Sequence, residues 1–301
     1  MDDWPSLPPL AEWRGPKTAL HLTCQMIGKV RMATHPKLNH WWHVTLYPSA
    51  RGLTTGRIPL APGRDFAISL DLLDQRLIVE DCFDRREETA LEGLTVAAIH
   101  ARLFESLEAI GVEARIRGVP YDNAVTTPFA EDEAHVWTDP DAIRRFWEAL
   151  RHVAAVFERF RGRFAGKQTP VHLYWHSFDL VTSRFSGRRA PLETGRRSDI
   201  EAYSHQTISC GFWPGDDTVP EAHFYAYAYP DPPGLDAHPI RPDAARWMNE
   251  GSVMGLLPYA AISGAADPEG DLLAFLQSAY DAAATAADWP VADLAHDYSE
   301  H

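Results

Sequence analysis

The chain has 301 residues, of which 45% are apolar and 23% charged, with a formal net charge of −14. That is the makeup of a globular protein with a substantial core, not of a disordered or fibrous chain. The negative balance excludes general attraction to nucleic acid or anionic lipid, and no apolar run approaches the ~20 residues needed to span a bilayer. The N-terminal stretch MDDWPSLPPLAEW lacks a basic region followed by an apolar run, so it does not read as a signal peptide. Cys24, Cys82 and Cys210 lie far apart with no CxxC, against a disulfide framework or a Cys-rich zinc site; a reducing cytosol is expected.

In chain order, Lys17 to about Arg31 reads as a helix, with Leu20, Ile27 and Val30 near helical spacing and His21, Cys24, Gln25 and Gly28 on another side. Strands are expected at Trp42–Tyr47, Phe66–Leu72 and Arg76–Glu80, the last two joined by a tight turn at Leu73-Asp74-Gln75. Thr95 to Ile110 forms a helix that stops at Gly111, and Val112–Arg117 reads as a strand. Residues 118–138 lack periodicity and read as a linker. Asp139-Pro140 opens a strong helix, a cap followed by proline at the first helical position, with a stripe running from Ile143 to Phe164. Strands follow at Val171–His176, Phe178–Phe185, Thr207–Phe212 and His223–Tyr229, with loops at 187–200 and 230–246. Asp267-Pro268 opens the last helix.

The order helix, antiparallel strands, helix therefore occurs twice: a first half at about 14–118, a linker at about 119–138 and a second half at about 139–288. Short matches accompany it. Gly28-Lys29 and Gly166-Lys167 close a helix, Trp42-His43 and Trp175-His176 follow, and Arg51 and Arg184 each stand eight residues beyond the histidine. Overlaid on strands, Trp42 matches Trp175 and His43 matches His176, apolar face on apolar face. The expected fold is α+β, mostly antiparallel sheets with packed helices, arranged as two pseudo-symmetric helix–sheet–helix halves.

Charge is uneven along this frame. Between Arg144 and Arg197 stand twelve Arg or Lys against four acids, a net +8 in an acidic chain. Such a stretch is either solvated helix face or a local pocket for an anionic group. Arg51, Arg57, Arg184 and Arg188 lie beside glycine-containing turns, and guanidinium forks suit carboxylate or phosphate. Ser183, Ser186, Thr54 and Thr55 add hydroxyls. No GxGxxG, GxxxxGK[ST] or GxSxG pattern is present. His172 and His176, four apart on a strand, would be roughly 13 Å apart at ~3.3 Å per residue, too far for one zinc. A metal would need ligands from separate segments, drawn from His43, His172, His205 and Glu201. Cys210 and His205 have odd spacing, which opposes a Cys–His dyad. Tyr225, Tyr227 and Tyr229 share a strand face, as core or as a pocket wall.

Several segments carry a resemblance: Leu38-Asn-His-Trp-Trp-His43, Ala50-Arg-Gly-Leu-Thr-Thr55, Ser177-Phe-Asp-Leu180, Arg184-Phe-Ser-Gly-Arg188, Glu201-Ala-Tyr-Ser-His205 and Cys210-Gly-Phe-Trp-Pro214. Together they resemble a bacterial family catalogued only as a domain of unknown function. The resemblance runs from Trp4 to about Trp289 and implies a single family unit. It implies no activity. In its pattern glycine is common at the position of His176, which sets His43, His172, Glu201 and His205 ahead of that residue. The expectation is an enzyme acting on a small anionic metabolite. His43, His172, His205 and Glu201 would be acid/base or metal-ligand groups, with a divalent metal left open, and Arg51, Arg184, Arg188, Trp41, Tyr174 and Ser186 would hold the ligand. A non-catalytic sensor or carrier using the same residues is the alternative.

Overall fold

A computed structural model describes residues 4–296. Contacts divide the chain into two compact units. The first contains residues 8–147 and 173–178; the second contains residues 4–7, 148–172 and 179–296.

The first unit opens with α1 (Leu10–Thr34). It begins seven residues before the expected start because Pro16 sits in the second turn, where the ring removes a single N–H from the ladder. Six strands follow: β1 (Tyr47–Pro48), β2 (Gly52–Thr54), β3 (Ile58–Ala61), β4 (Arg64–Asp71), β5 (Arg76–Asp81) and β6 (Arg86–Ala90). They form an antiparallel sheet in the order β1-β2-β4-β5-β6, with β3 on β4. Phe66, Ile68 and Leu70 alternate inward along β4, and Asp71 closes the β4–β5 turn by accepting from the Leu73 and Asp74 N–H groups, both at 3.0 Å. Next comes α2 (Val96–Ala109), capped by Thr95, whose Oγ1 accepts from Ala98 N at 3.1 Å. Gly111 ends the turn with φ 71°, a conformation glycine supplies without strain.

Two expected strands are absent here. Trp42–Tyr47 is mostly turn, with only Tyr47 in a strand, and Val112–Arg117 is extended but unpaired with any sheet. The second has a clear cause. Side chains of α1 take the backbone groups of this segment and its continuation. Lys29 Nζ donates to the carbonyls of Arg117 (3.1 Å) and Val119 (2.5 Å). The Gln25 amide pairs with Tyr121 as a strand would, donating to its carbonyl at 2.9 Å and accepting its N–H at 2.8 Å. His21, Gln25 and Lys29, one stripe of α1 at i, i+4, i+8 spacing, thus hold the irregular 112–123 stretch in place.

Helix α3 (Pro140–Gly162), with the Asp139 side chain accepting from Ala142 N at 3.0 Å, starts in the first unit and ends in the second. Then come β7 (His172–Tyr174), β8 (Asp179–Arg189), α4 (Arg197–Ala202), β9 (His205–Trp213), β10 (His223–Tyr229), β11 (Arg246–Asn249), β12 (Val253–Pro258), α5 (Tyr259–Ser263), α6 (Pro268–Ala286) and α7 (Val291–Leu294). The antiparallel order is β11-β12-β10-β9-β8-β7. Helix α6, capped by Asp267, packs Leu276 and Tyr280 toward the face that carries Thr182, Arg184 and Cys210. On the other face Gly211 lies under the Tyr225 ring, where a Cβ would come within 2.2 Å of Cζ.

A helix, a six-stranded antiparallel sheet and a helix therefore follow one another twice, and the fold is α+β. The strand overlay of Trp42-His43 on Trp175-His176 does not hold. Both pairs sit in turns, and Trp175–Phe178 reverses the chain between β7 and β8, with Phe178 N donating to Tyr174 O at 2.8 Å.

Candidate functional site

The loop that follows α1 in the first unit carries His35, His40, Trp41, Trp42 and His43 within nine residues. His35 caps α1, its N–H bonding Arg31 O at 2.8 Å, and a short 3-10 turn runs from Asn39 to Trp41. His40 and Trp41 are left-handed, with φ of 54° and 59°. Each such non-glycine residue costs about 1–3 kcal/mol and persists only where its surroundings dictate it. Here Trp42 N bonds Asn39 O (3.3 Å), Val44 N bonds Trp41 O (3.1 Å) and Thr45 Oγ1 bonds Trp42 O (3.2 Å). Ring contacts add to this: Trp41 lies 5.2 Å from His43, and His40 stacks 5.1 Å from Trp42.

His43 is buried, and its Nδ1 accepts the Leu38 N–H at 3.3 Å. A backbone N–H can only donate, so neutral His43 carries its proton on Nε2. Burial lowers its pKa, and the cationic charges of His35, Lys37 and Arg31 lower it further. Arg31, 3% exposed, donates Nη1 to Thr55 O and Nη2 to Tyr47 Oη at 3.3 Å, with Cζ 5.2 Å from the Tyr47 ring. Its Nε is buried without a hydrogen-bond partner, as is Trp41 Nε1. Among the described residues Arg31 has no ion pair with a carboxylate. The Trp41 ring, with its buried indole donor, contacts the neutral His43 imidazole, and Arg31 acts on that imidazole through its charge. A buried guanidinium and a buried N–H without acceptors are groups that an anion satisfies.

The other sequence-selected residues distribute as follows. In the first unit, Arg51, expected to hold the ligand, is instead held by Asp71 and by Asp74 (2.6 Å), and Arg57 is held by Asp65 (2.5 Å). Tyr174 is half-buried, its ring 5.6 Å from His176. In the second unit, His172 is fully buried in β7. His205 opens β9 opposite Arg189, with Nδ1 3.0 Å from Ser204 Oγ; burial and then Lys167 and Arg189 lower its pKa. Ser186 Oγ donates to Gln206 Oε1 at 2.8 Å and accepts from Arg188 N at 3.1 Å, while the Arg188 side chain is exposed. Glu201 accepts from Arg197 Nε at 2.6 Å, one turn apart on α4. Ser186, Arg188, Glu201 and His205 thus lie along one end of β8 and β9. Arg184 is elsewhere, turned inward under α6. His43 and Trp41 belong to the first unit, and His172, His205 and Glu201 to the second.

Among the described residues no group of three or more His, Cys, Asp or Glu side chains is placed to hold a metal ion, so the ligand set drawn from His43, His172, His205 and Glu201 gains no geometric support. A cavity of ≈ 400 Å³ in the first unit is lined by Leu73, Asp74, Gln75, Arg76, Glu92 and Arg144 among others, none of them among the candidate site residues.

A model described as a family of unknown function (DUF5996) matches residues 4–296. The chain belongs to this family. No curated protein and no solved structure matches it. The reading of this DUF5996 member therefore rests on its own residues, and two of the most telling were missed in the sequence. Arg31 stands in the last turn of an apolar helix, where a basic residue ordinarily answers the helix dipole. Its burial follows from partners further along the chain, the Thr55 carbonyl and the Tyr47 ring and hydroxyl. Asp179 accepts from Tyr225 Oη, and Tyr203 Oη lies 2.9 Å from Tyr227 Oη, a phenol cluster that the tyrosine alternation hinted at only as a shared face.

Proposed function

We propose that this protein binds a small anionic metabolite at the loop after α1 and acts on it. Arg31 and the Trp41 indole N–H hold the anion, and His43 exchanges a proton with the ligand. The observation that carries the reading is two buried, unpartnered donors that both act on His43, Trp41 Nε1 on a ring in contact with it and Arg31 Nε on a guanidinium that acts on it through charge, with no carboxylate paired to Arg31 among the described residues. The lowered pKa leaves His43 neutral near pH 7 with Nδ1 accepting from Leu38, so it presents Nε2–H to the ligand, and it exchanges a proton by releasing the Leu38 bond, Nδ1 taking up a proton from solvent as Nε2 gives one. We further place the protein in a bacterial cytoplasm, in keeping with three free cysteines and with the absence of any described helix long and apolar enough to cross a membrane.

The test is a thermal-shift and calorimetry screen of small mono- and dicarboxylates, sugar phosphates and inorganic phosphate. It is repeated on Arg31→Met and His43→Gln, with NMR of the recovered ligand. The expected result is a hit that Arg31→Met abolishes and His43→Gln still binds but no longer converts. A ligand recovered unaltered from the native protein assigns the site to a sensor or carrier instead. A hit that survives Arg31→Met unchanged removes the site from the loop.

A further inference from the structure

The second unit buries a different guanidinium, and its surroundings suggest a ligand of another kind. Arg184 is 1% exposed. Its Cζ lies 3.5 Å from the Phe160 ring centroid, 4.3 Å from that of Tyr280 and 5.0 Å from that of Phe164. The Phe160 and Tyr280 centroids are 6.3 Å apart, so Cζ is nearer to each ring than they are to one another, and the guanidinium fills the notch between them. Aromatic faces compensate part of the cost of burying a cation, and the Phe160 carbonyl accepts from Nη2. Neither supplies negative charge. Among the described residues no carboxylate hydrogen-bonds to Arg184; Asp281 acts on it only through space, while its own Oδ1 accepts from Gln277 Nε2 at 2.8 Å. Arg163 adds a second positive charge to the same field.

Three donors in this cluster are buried with nothing to donate to: Arg184 Nε, Tyr280 Oη and Trp289 Nε1. They sit on side chains linked in series through Tyr280. The Trp289 and Tyr280 rings meet edge-on at 6.2 Å, and Tyr280 packs on Arg184. Leaving one such group unsatisfied costs about 1–3 kcal/mol, and a buried charge without a counter-charge costs more. A small acceptor bearing negative charge at Arg184 Nε, within reach of a donor on Tyr280 or Trp289, answers this cost. We propose that Arg184, Tyr280 and Trp289 form an internal site for a small inorganic anion, of the size and charge of a halide, bound at the edge of the guanidinium and serving as a structural counter-ion beneath the β8–β9 sheet. The site is independent of the loop after α1 and of the activity proposed there.

The probe is bromide. Crystals of the full chain soaked in sodium bromide should show an anomalous peak in hydrogen-bonding contact with Arg184 Nε and at least one of Tyr280 Oη and Trp289 Nε1. In solution, exchanging sodium gluconate for sodium chloride at fixed ionic strength should raise Tm by roughly 5 °C once chloride is in hundredfold excess over its Kd. Arg184→Met should abolish that rise. If Arg184→Met does not fold, Tyr280→Phe and Trp289→Phe each remove one donor at nearly constant volume and should weaken chloride about tenfold. A water molecule in place of bromide overturns the proposal. So does a Tm equal in the two salts, or a chloride effect that Tyr280→Phe and Trp289→Phe leave unchanged.

Discussion

Replacing Gly28 by alanine tests how the first unit is packed, because two physical effects predict opposite signs. Gly28 lies inside α1, where intrinsic propensity favours alanine by about 1 kcal/mol, so a reading from the sequence alone predicts stabilisation. In the structure a Cβ at this position would stand 2.0 Å from Trp175 Cδ1 and 2.4 Å from both Cγ and Nε1. The indole is 4% exposed and has little room to retreat. The Leu46–Leu173 backbone bridge anchors its segment on one side, and His21 Nε2, 2.9 Å from Trp175 O, on the other. Overpacking of this kind costs about 1–3 kcal/mol, and a contact this short with a rigid ring belongs at the upper end. Set against the propensity gain, the net expectation is a loss of about 2 kcal/mol. Urea unfolding followed by far-UV circular dichroism reads it directly as a shift in midpoint at constant slope. The same substitution in a Trp175→Leu background should return to the propensity sign, giving a coupling of about 2–3 kcal/mol across the cycle. A Gly28→Ala protein as stable as the native one, or more so, would refute the packing of Trp175 on α1.

Three further outcomes follow from the same unit and from α6. Burial, aided by Lys17, pushes the His21 pKa down to about 3, so the folded state holds a neutral ring where the unfolded chain titrates near the free value of 6.5. The stability this gives is complete above about pH 6.5 and is lost as pH falls from there toward 3, at up to about 1.4 kcal/mol per pH unit; a urea midpoint that stays flat across that range would contradict it. Gln25→Leu removes both partners of the Tyr121 backbone and should cost about 2 kcal/mol, with limited proteolysis moving to the 112–123 segment. Asp267→Ala removes the acceptor that holds Gly270 N at 3.0 Å and should cost about 1 kcal/mol in thermal unfolding, the usual value of an N-cap.

Where local rules govern, the fold was legible. Thr95 and Gly111 bracket α2, Asp139-Pro140 and Asp267-Pro268 open α3 and α6, and the β4–β5 turn and β10 fall where alternation and turn residues put them. The failures have a common origin in long-range partners. β6 reads Arg-Glu-Glu-Thr-Ala, a charged edge strand whose pairing with β5 leaves no hydrophobic alternation to detect. Val112–Arg117 has strand-like alternation, but its last carbonyl, that of Arg117, accepts from Lys29, a side chain more than eighty residues away. The five residues from Asn39 to His43 have the aromatic content of a strand, yet Leu38 N is taken by His43 Nδ1 and the chain turns. The candidate site was legible in part for the same reason. His43 and Trp41 stand in a motif dense enough to be noticed. Arg31 looks like an ordinary helix-ending base until Tyr47 and Thr55 meet it.

The distribution of arginine argues most directly for anion chemistry in this family member. At the surface, guanidiniums are matched to acids: Arg51 with Asp71 and Asp74, Arg57 with Asp65, Arg85 with Asp81, Arg86 with Glu80 and Glu88, Arg159 with Glu269. With 42 acids against 28 bases, carboxylates are in excess. Arg31 and Arg184, among the most deeply buried, are met instead by carbonyls and aromatic faces, each with Nε unclaimed. Scarcity of acids cannot explain that, and burial raises rather than lowers the cost of leaving a cation uncompensated. If these arginines were purely structural, replacing either with methionine would relieve an unfavourable desolvation, and stability would hold or rise in any salt. If an external anion completes them, each methionine variant loses an anion-dependent part of its stability, through metabolite at Arg31 and through halide at Arg184. The sign of that change with and without the anion separates the two accounts at each site on its own.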